Sequence, residues 1–380
     1  MAGPLEGVRV VELGGIGPAP FCGMVLADLG ADVVRINRPS DAGVMRVNPV
    51  LDRGRRQLAV DLKSSAGVDI VRKLIATSDA VIEGFRPGVM ERLGFVPAEL
   101  RVDNPKLVVG RMTGWGQTGP EAQSAGHDIN YISMAGVLGS IGHADGPPVP
   151  PINLVGDFGG GGMLLTVGVL AGILNARTTG KGQDVDAAMV DGAALLSAMM
   201  YGFAKNGVWD LSRRGVNFLD GGAPYYNVYP CADGQYVSVG ALEPQFYAAL
   251  IEGLGLGDQI DLGRQGDEST WPRQAELFAE VFKTKTRDEW AEHFAGTDAC
   301  VAAVLSFAEA PSSPHLVARS TFAKDAAGTI HPSPAPRFSE TPLGAPGVPP
   351  NIGDHTSTVL AELGYAPADV AALRADGTIA

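Results

Sequence analysis

This chain is poor in cysteine and in charge, and it lacks a long unbroken apolar run. Three of its 380 residues are cysteine: Cys22, Cys231 and Cys300. They are odd in number and far apart, which excludes a disulfide framework and any metal-binding spacing. A reducing cytoplasm suits them. No 18-residue stretch is free enough of polar breaks to cross a bilayer, and the most apolar one, residues 163–176, is too short. The opening MAGPLEGVRVVEL lacks the charged-then-apolar order of a signal peptide, so a cytoplasmic location is expected. Charged residues make up 19%, and acids outnumber bases to give a net charge of −13. That balance argues against nucleic acid or an anionic membrane as the main partner.

Glycine (51) and proline (27) are plentiful, and hydrophobic residues reach 45%. This composition suits a loop-rich α/β enzyme, built as one large domain or two ordinary ones. One stretch departs from the acidic balance. Between Arg35 and Lys63 lie Arg35, Arg38, Arg46, Arg53, Arg55, Arg56 and Lys63, against Asp41, Asp52 and Asp61. Composition alone leaves two readings open, a site for an anionic small ligand or a solvated face.

VRVVELGG reads as a buried strand ending in a glycine turn, FCGMVLADLGA as a helix and DVVRINRP as a second strand. A parallel sheet therefore opens the fold. GVDIVRKLIATSD, AVIEGF and PKLVVGRMTGW continue the alternation, as in doubly wound folds. The turn GGIGPAP fails as a dinucleotide fingerprint, because Pro20 stands where the third glycine belongs and Arg38, not an acid, follows the second strand. NAD is not expected; an arginine there suits a phosphate or the face of an adenine. Residues 163–206 read as mostly helical and apolar nearly all round, hence buried or at a subunit interface. YYNVYPCADGQYVSVGAL reads as a hairpin around Ala-Asp-Gly. EPQFYAALIEGLG, AELFAEVFKT and TRDEWAEHFAG read as helices and DACVAAVLS as a strand. The expected organisation is a large domain at residues 1–185, a linker helix region at 186–222 and a small α+β domain at 223–310. A proline-rich connector at 311–352 follows, then a return to the large domain at 353–380.

Three motifs carry candidate chemistry. In LVGDFGGGGMLL, Asp157 is a good residue type to cap a helix opening on the glycines. Bare amides at such an N-terminus stabilise a phosphate, an enolate or a tetrahedral oxyanion; the alternative is close helix packing. No Lys or Ser/Thr follows as a P-loop requires. In AGHDINYI, His127 is either structural or a proton shuttle. In GALEPQ, Glu243 is either a site residue at a strand end or a plain helix-start acid.

Taken together, these segments resemble a known family. VRVVELGGIGPAPFCGMVLADLGADVVRINRP, AVDLKSSAG, EGFRPGVMERLG, RMTGWGQTGP, AGHDINYIS, NLVGDFGGGG, GKGQDVDAAMVDG and PYYNVYPCADGQYVSVGALEPQFY run in order along nearly the whole chain. They resemble the α-methylacyl-CoA racemases within the family III CoA-transferase group. The resemblance implies an α/β fold whose Rossmann-like large domain, a parallel sheet with helices, is built from both chain ends. A smaller α+β domain and an interlocked homodimer complete it, with each site between the large domain of one subunit and the small domain of the other. It implies interconversion of (2R)- and (2S)-2-methylacyl-CoA thioesters, with His127 and Asp157 as opposed acid/base groups and Glu243 tuning the histidine. It assigns Arg38, the Ala59, Val60, Asp61 and Leu62 backbone, Arg86 and Arg92 to CoA. Gly126, Asp128, Ile129, Asn130 and Tyr131 form the substrate-binding stretch around the histidine. The Asp157 amide is expected among the enolate's donors. No metal is implied, and no cofactor beyond the CoA carried by the acyl-CoA substrate. The rival within the group is a CoA-transferase in which Asp157 attacks the thioester to form a mixed anhydride.

Overall fold

The computed structural model describes residues 3–44 and 48–380, so Arg46 of the basic stretch lies outside the described residues. Two compact units are present. The first comprises Met1–Ala135, Ile152–Leu196 and Pro314–Ala380; the second comprises Gly136–Pro151 and Ser197–Ser313.

The first unit is built on six parallel strands: β1 (Arg9–Leu13), β2 (Asp32–Asn37), β3 (Arg56–Ala59), β4 (Ala80–Glu83), β5 (Val108–Thr113) and β6 (Asp184–Ala188). Their order is β3-β2-β1-β4-β5-β6. Helices cover both faces, which is why strands such as VVEL and VVGRMT are buried along their length rather than alternating. On one face, Ile70, Leu74 and Ile75 of α2 (Ser65–Ala76) pack with Leu100 of α4 (Pro97–Asp103) and the C-terminal helices, against Val11, Val34 and Val81. Between them lies the single turn α3 (Val89–Arg92). On the other face, Ala19, Cys22 and Leu26 of α1 (Pro18–Asp28) meet Leu165, Val169 and Ile173 of a long helix over Val10, Ile82 and Val108.

That helix is the main departure from the sequence-based expectation. It does not begin at the glycines. A π-helical segment, Leu154–Met163, runs without a break into α6 (Leu164–Thr179). Asp157 and all four glycines lie inside it, so Asp157 is no N-cap. At 26 residues, Leu154–Thr179 is long and apolar enough by length and composition to cross a membrane, longer than residues 163–176 suggested; 44% of its most apolar window is buried within the protein. The glycines serve close packing against α1 and α7 (Met189–Leu196). A Cβ on Gly160 would lie 2.7 Å from the Ala193 nitrogen, and one on Gly162 2.7 Å from the Pro18 carbonyl oxygen. Helix α5 (Asp128–Met134) precedes this segment. A second departure is β6, which lies inside residues 163–206, read as mostly helical; DVDAA holds a single β-branched residue, so no strand pattern marks it.

The chain end returns to the first unit through α12 (Pro314–Ala318), an antiparallel pair β10 (Phe322–Lys324) and β11 (Ile330–Pro332), then α13 (Thr356–Glu362) and α14 (Pro367–Ala375). Val60 bridges to Ile379, and the Asp61 amide donates to the Thr378 carbonyl at 2.8 Å. The large unit is thus built from both chain ends. The second unit holds α8 (Ala198–Lys205) and an antiparallel sheet of β7 (Tyr226–Pro230), β8 (Tyr236–Gly240) and β9 (Val301–Ala303). Helices α9 (Pro244–Leu254), α10 (Trp271–Phe282) and α11 (Arg287–His293) supply Tyr247, Phe278, Phe282 and Trp290 to its aromatic core.

Candidate active site

In the first unit the strand order reverses between β1 and β4, the place where open α/β sheets bind ligands beyond the carboxyl ends of their strands. A cleft of about 1540 Å³ opens there. Its walls are residues 14–18 after β1, the end of β2 with 38–41, residues 60–63 after β3, 84–87 after β4, 112–115 at the end of β5, the approach to α5, and Asp157.

The cleft brings together Arg38, Val60, Asp61, Leu62, Arg86, Gly126, His127, Asn130, Tyr131 and Asp157. Other candidates lie elsewhere. Ala59 is buried in β3; its amide donates to Thr356 Oγ1 and its carbonyl accepts from Ala380. The amides of Val60 and Asp61 are likewise engaged, with the carbonyls of Asn37 and Thr378. This leaves the loop to present its side chains and the Leu62 amide. Arg92 packs over Gly88 in the short α3, with its Nη1 3.1 Å from where a Cβ on that glycine would stand. Ile129 points outward from α5. Asp128 is buried behind the cleft wall. Glu243 belongs to the second unit, where it is the residue before α9.

His127 is the residue before α5, and its amide donates to Asn130 Oδ1 at 3.0 Å, which fixes the entry into the helix. Tyr131, one turn on, anchors the same loop: its hydroxyl donates to the Gly126 carbonyl, and its ring meets Trp115 edge-on at 4.8 Å. Burial, followed by the nearby Asp157 charge, raises the Tyr131 phenol above its ordinary value.

Asp157 is half-buried. Burial is the main cause that lifts its carboxyl above the usual aspartate range; the Asp128 charge adds to this, while Asn153 and His127 act in the opposite direction. Asn153 Nδ2 donates to Asp157 Oδ2 at 2.8 Å. The Asp157 amide donates to Asp128 Oδ1 at 2.7 Å. That amide is therefore occupied and is not a donor to a bound enolate, contrary to expectation. The orphan amides nearest His127 are those that open α5, on Asp128 and Ile129.

The basic stretch resolves into two groups. Arg53 pairs with Asp28 at 2.6 Å, Arg55 with Glu12 at 2.6 Å and Asp52 at 2.9 Å, and Arg56 with Asp32 and Glu362 at 2.6 Å. Arg35 pairs with Glu12 at 2.7 Å and forms part of the cleft floor. Glu12 is fully buried, and Gly23 of α1 leaves it room. Arg38 and Lys63 line the cleft with no ion-pair partner among the described residues. Most of the cluster is structural; these two cations remain for an anionic ligand. Among the described residues no group of three His, Cys, Asp or Glu is placed to hold a metal ion.

Sequence reasoning missed three features. Asn153 sits in PPINLVGD, which looks like loop, and its carboxylate contact needs the helix that starts there. Ile16 lines the cleft while 94% exposed. Gly17, at φ +71°, stands against Asp157, so that a Cβ there would lie 3.2 Å from Oδ2. The repeated glycines of GGIG were the available signal for the last two.

Residues 5–356 match the family described as CoA-transferase family III. The chain is 46% identical over 374 residues to an alpha-methylacyl-CoA racemase of Mus musculus, covering 98% of this chain and 96% of the relative. It is 44% identical over 381 residues to the alpha-methylacyl-CoA racemase of Homo sapiens, covering 99% and 97%. Among solved structures, a CaiB/BaiF family protein from Brucella suis superposes with a TM-score of 0.80 at 26% identity, over 96% of this chain and 100% of that one. Fold, cleft and sequence agree that the chain belongs to CoA-transferase family III.

Proposed function

We propose that this protein is a racemase that interconverts the (2R) and (2S) epimers of 2-methylacyl-CoA thioesters. The observation that carries the reading is that His127 and Asp157 line one cleft, with the Asp157 carboxyl biased toward its protonated form by burial. The near full-length identity to two named racemases supports it. A thioester α-proton leaves only if the carbanion is delocalised onto the carbonyl oxygen as an enolate. In one direction neutral His127 takes the proton from one face of C2 while protonated Asp157 gives one to the other face. In the reverse direction the ionised Asp157 is the base and protonated His127 the acid. The amides at the start of α5 are the donors for the enolate oxygen; such donors are worth about 3 kcal/mol each. Arg38 and Lys63 take the phosphates of CoA.

A homodimer belongs to the same reading. Met163, Val167 and Leu174 make an exposed apolar row on the long helix, with Leu195 and Leu196 beside it in sequence order on α7. Such a surface on an acidic, charge-poor chain suits burial by a second copy, and Glu243 then enters the site from that copy. Free cysteines suit a cytoplasmic location.

The test is incubation with (2R)- or (2S)-2-methylacyl-CoA in deuterated water. Deuterium at C2 and convergence to both epimers are expected, with His127→Ala losing most of the exchange while CoA affinity stays nearly intact. A His127→Ala variant that exchanges at the wild-type rate overturns the assignment. Trapping of an Asp157 anhydride by hydroxylamine or borohydride would instead identify a transferase.

A further inference from the structure

We infer that the Asp128 side chain is a positioning residue that sets the spacing of the two proton carriers, rather than a ligand of the acyl-CoA. This deepens the racemase reading and rests on it.

Asp128 is only 6% exposed and lies off the cleft surface, so its carboxyl faces the protein. Through the chain it is the next residue after His127. Through its carboxyl it holds Asp157, because Oδ1 accepts the Asp157 amide at 2.7 Å. His127, Asp128 and Asp157 thus join α5 to the π-helical segment through one chain step and one hydrogen bond. Space has been left for it: a Cβ on Gly156 would lie 2.5 Å from Asp128 Oδ1. The other oxygen, Oδ2, is buried without a hydrogen-bond partner among the described residues. A half-satisfied buried carboxyl is costly, and a substrate ligand would not be placed there. Its position in the first turn of α5 favours the negative charge.

The charge has a second effect. The groups facing the Asp157 carboxyl are Asn153 from its own helix and His127, Asp128 and Tyr131 from the start of α5, while the β1–α1 turn offers only Gly17. Arg86 acts on Tyr131. Asp128 is the one like charge among them whose carboxyl is fixed to Asp157 itself, and it opposes ionisation of Asp157. In the reaction the proton passes between Asp157 and C2 and between C2 and His127; Asp128 exchanges none with substrate.

The experiment compares Asp128→Asn, Asp128→Ala and Gly156→Ala with the wild type, using deuterium incorporation from 2-methylacyl-CoA across pH. Asp128→Asn keeps an acceptor for the Asp157 amide but loses the charge. It is expected to keep kcat within about 5-fold while its kcat/KM profile moves to lower pH, since Asp157 then ionises more readily. Asp128→Ala and Gly156→Ala, which release or press on the link, are expected to lower kcat by about 100-fold with KM near wild type. An Asp128→Asn profile that coincides with the wild type, or an Asp128→Ala effect confined to KM, overturns the proposal. Should Asp128→Ala fail to fold, the Asp128→Asn profile decides alone. Wild-type protein without exchange would refute the racemase reading instead.

Discussion

Gly17→Ala is the sharpest probe of how the fold holds Asp157. At φ +71° an alanine pays a backbone penalty of about 1–3 kcal/mol. Its Cβ would also lie 3.2 Å from Asp157 Oδ2, closer than ordinary contact, so the carboxyl must move by a few tenths of an ångström. Asn153 resists through its 2.8 Å bond to the same oxygen. Proton transfer tolerates little displacement, and a loss of about 10- to 100-fold in kcat is expected. Gly7→Ala is the matched control: it too has a positive φ, +82°, in the same unit, but a Cβ there meets nothing within 4 Å. Both variants should lose similar thermal stability, read by calorimetry, and both should bind CoA. Only Gly17→Ala should lose deuterium exchange at C2. Equal exchange rates in the two variants would show that contact with the β1–α1 turn does not orient Asp157.

Arg38→Ala is expected to weaken CoA binding by about 5-fold at low ionic strength, with the difference shrinking as salt is raised; calorimetric titration at two salt concentrations checks this. Glu12→Gln removes the buried anion between Arg35 and Arg55 and should cost about 3 kcal/mol, seen as a lower urea midpoint. The exchange rate should follow a bell in pH, because the active pair carries one proton. Burial raises the affinity of the Asp157 carboxyl for its proton and keeps its limb above that of an ordinary aspartate. A flat profile from about pH 5 to 9 contradicts the two-base scheme.

Much of the fold was legible because the parallel strands are buried on both faces. VVEL, DVVRIN, AVIE and VVGRMT announce themselves as valine and isoleucine runs between helical patterns. Strands β3 and β6 did not: RQLA has no β-branched residue and DVDAA only one, and their sheet neighbours define them. The long helix was misjudged at its start for a physical reason. Glycine is a poor helix former in isolation, so GGGG read as an entry point, whereas backbone contact with α1 and α7 makes glycine the residue required inside the helix. His127 and Asp157 were singled out through motif resemblance, and both line the cleft. The partners of Asp157 were not, since Asn153 depends on the π-helical register and Asp128 on burial that the sequence HDIN does not signal. The basic island also needed coordinates, because no one-dimensional count distinguishes Arg55, locked to Glu12, from Arg38.

The backbone crosses between the two units four times, since the first is assembled from three separated stretches and the second from two. Neither can be isolated by a single cut, and a protease that nicks one crossing leaves both halves threaded through the same body. During synthesis the first unit must wait for Pro314–Ala380 to emerge before the outer edge of β3 acquires its last partner. Truncations near the carboxyl end are therefore expected to aggregate as sheet intermediates with an open margin, instead of yielding a smaller active enzyme.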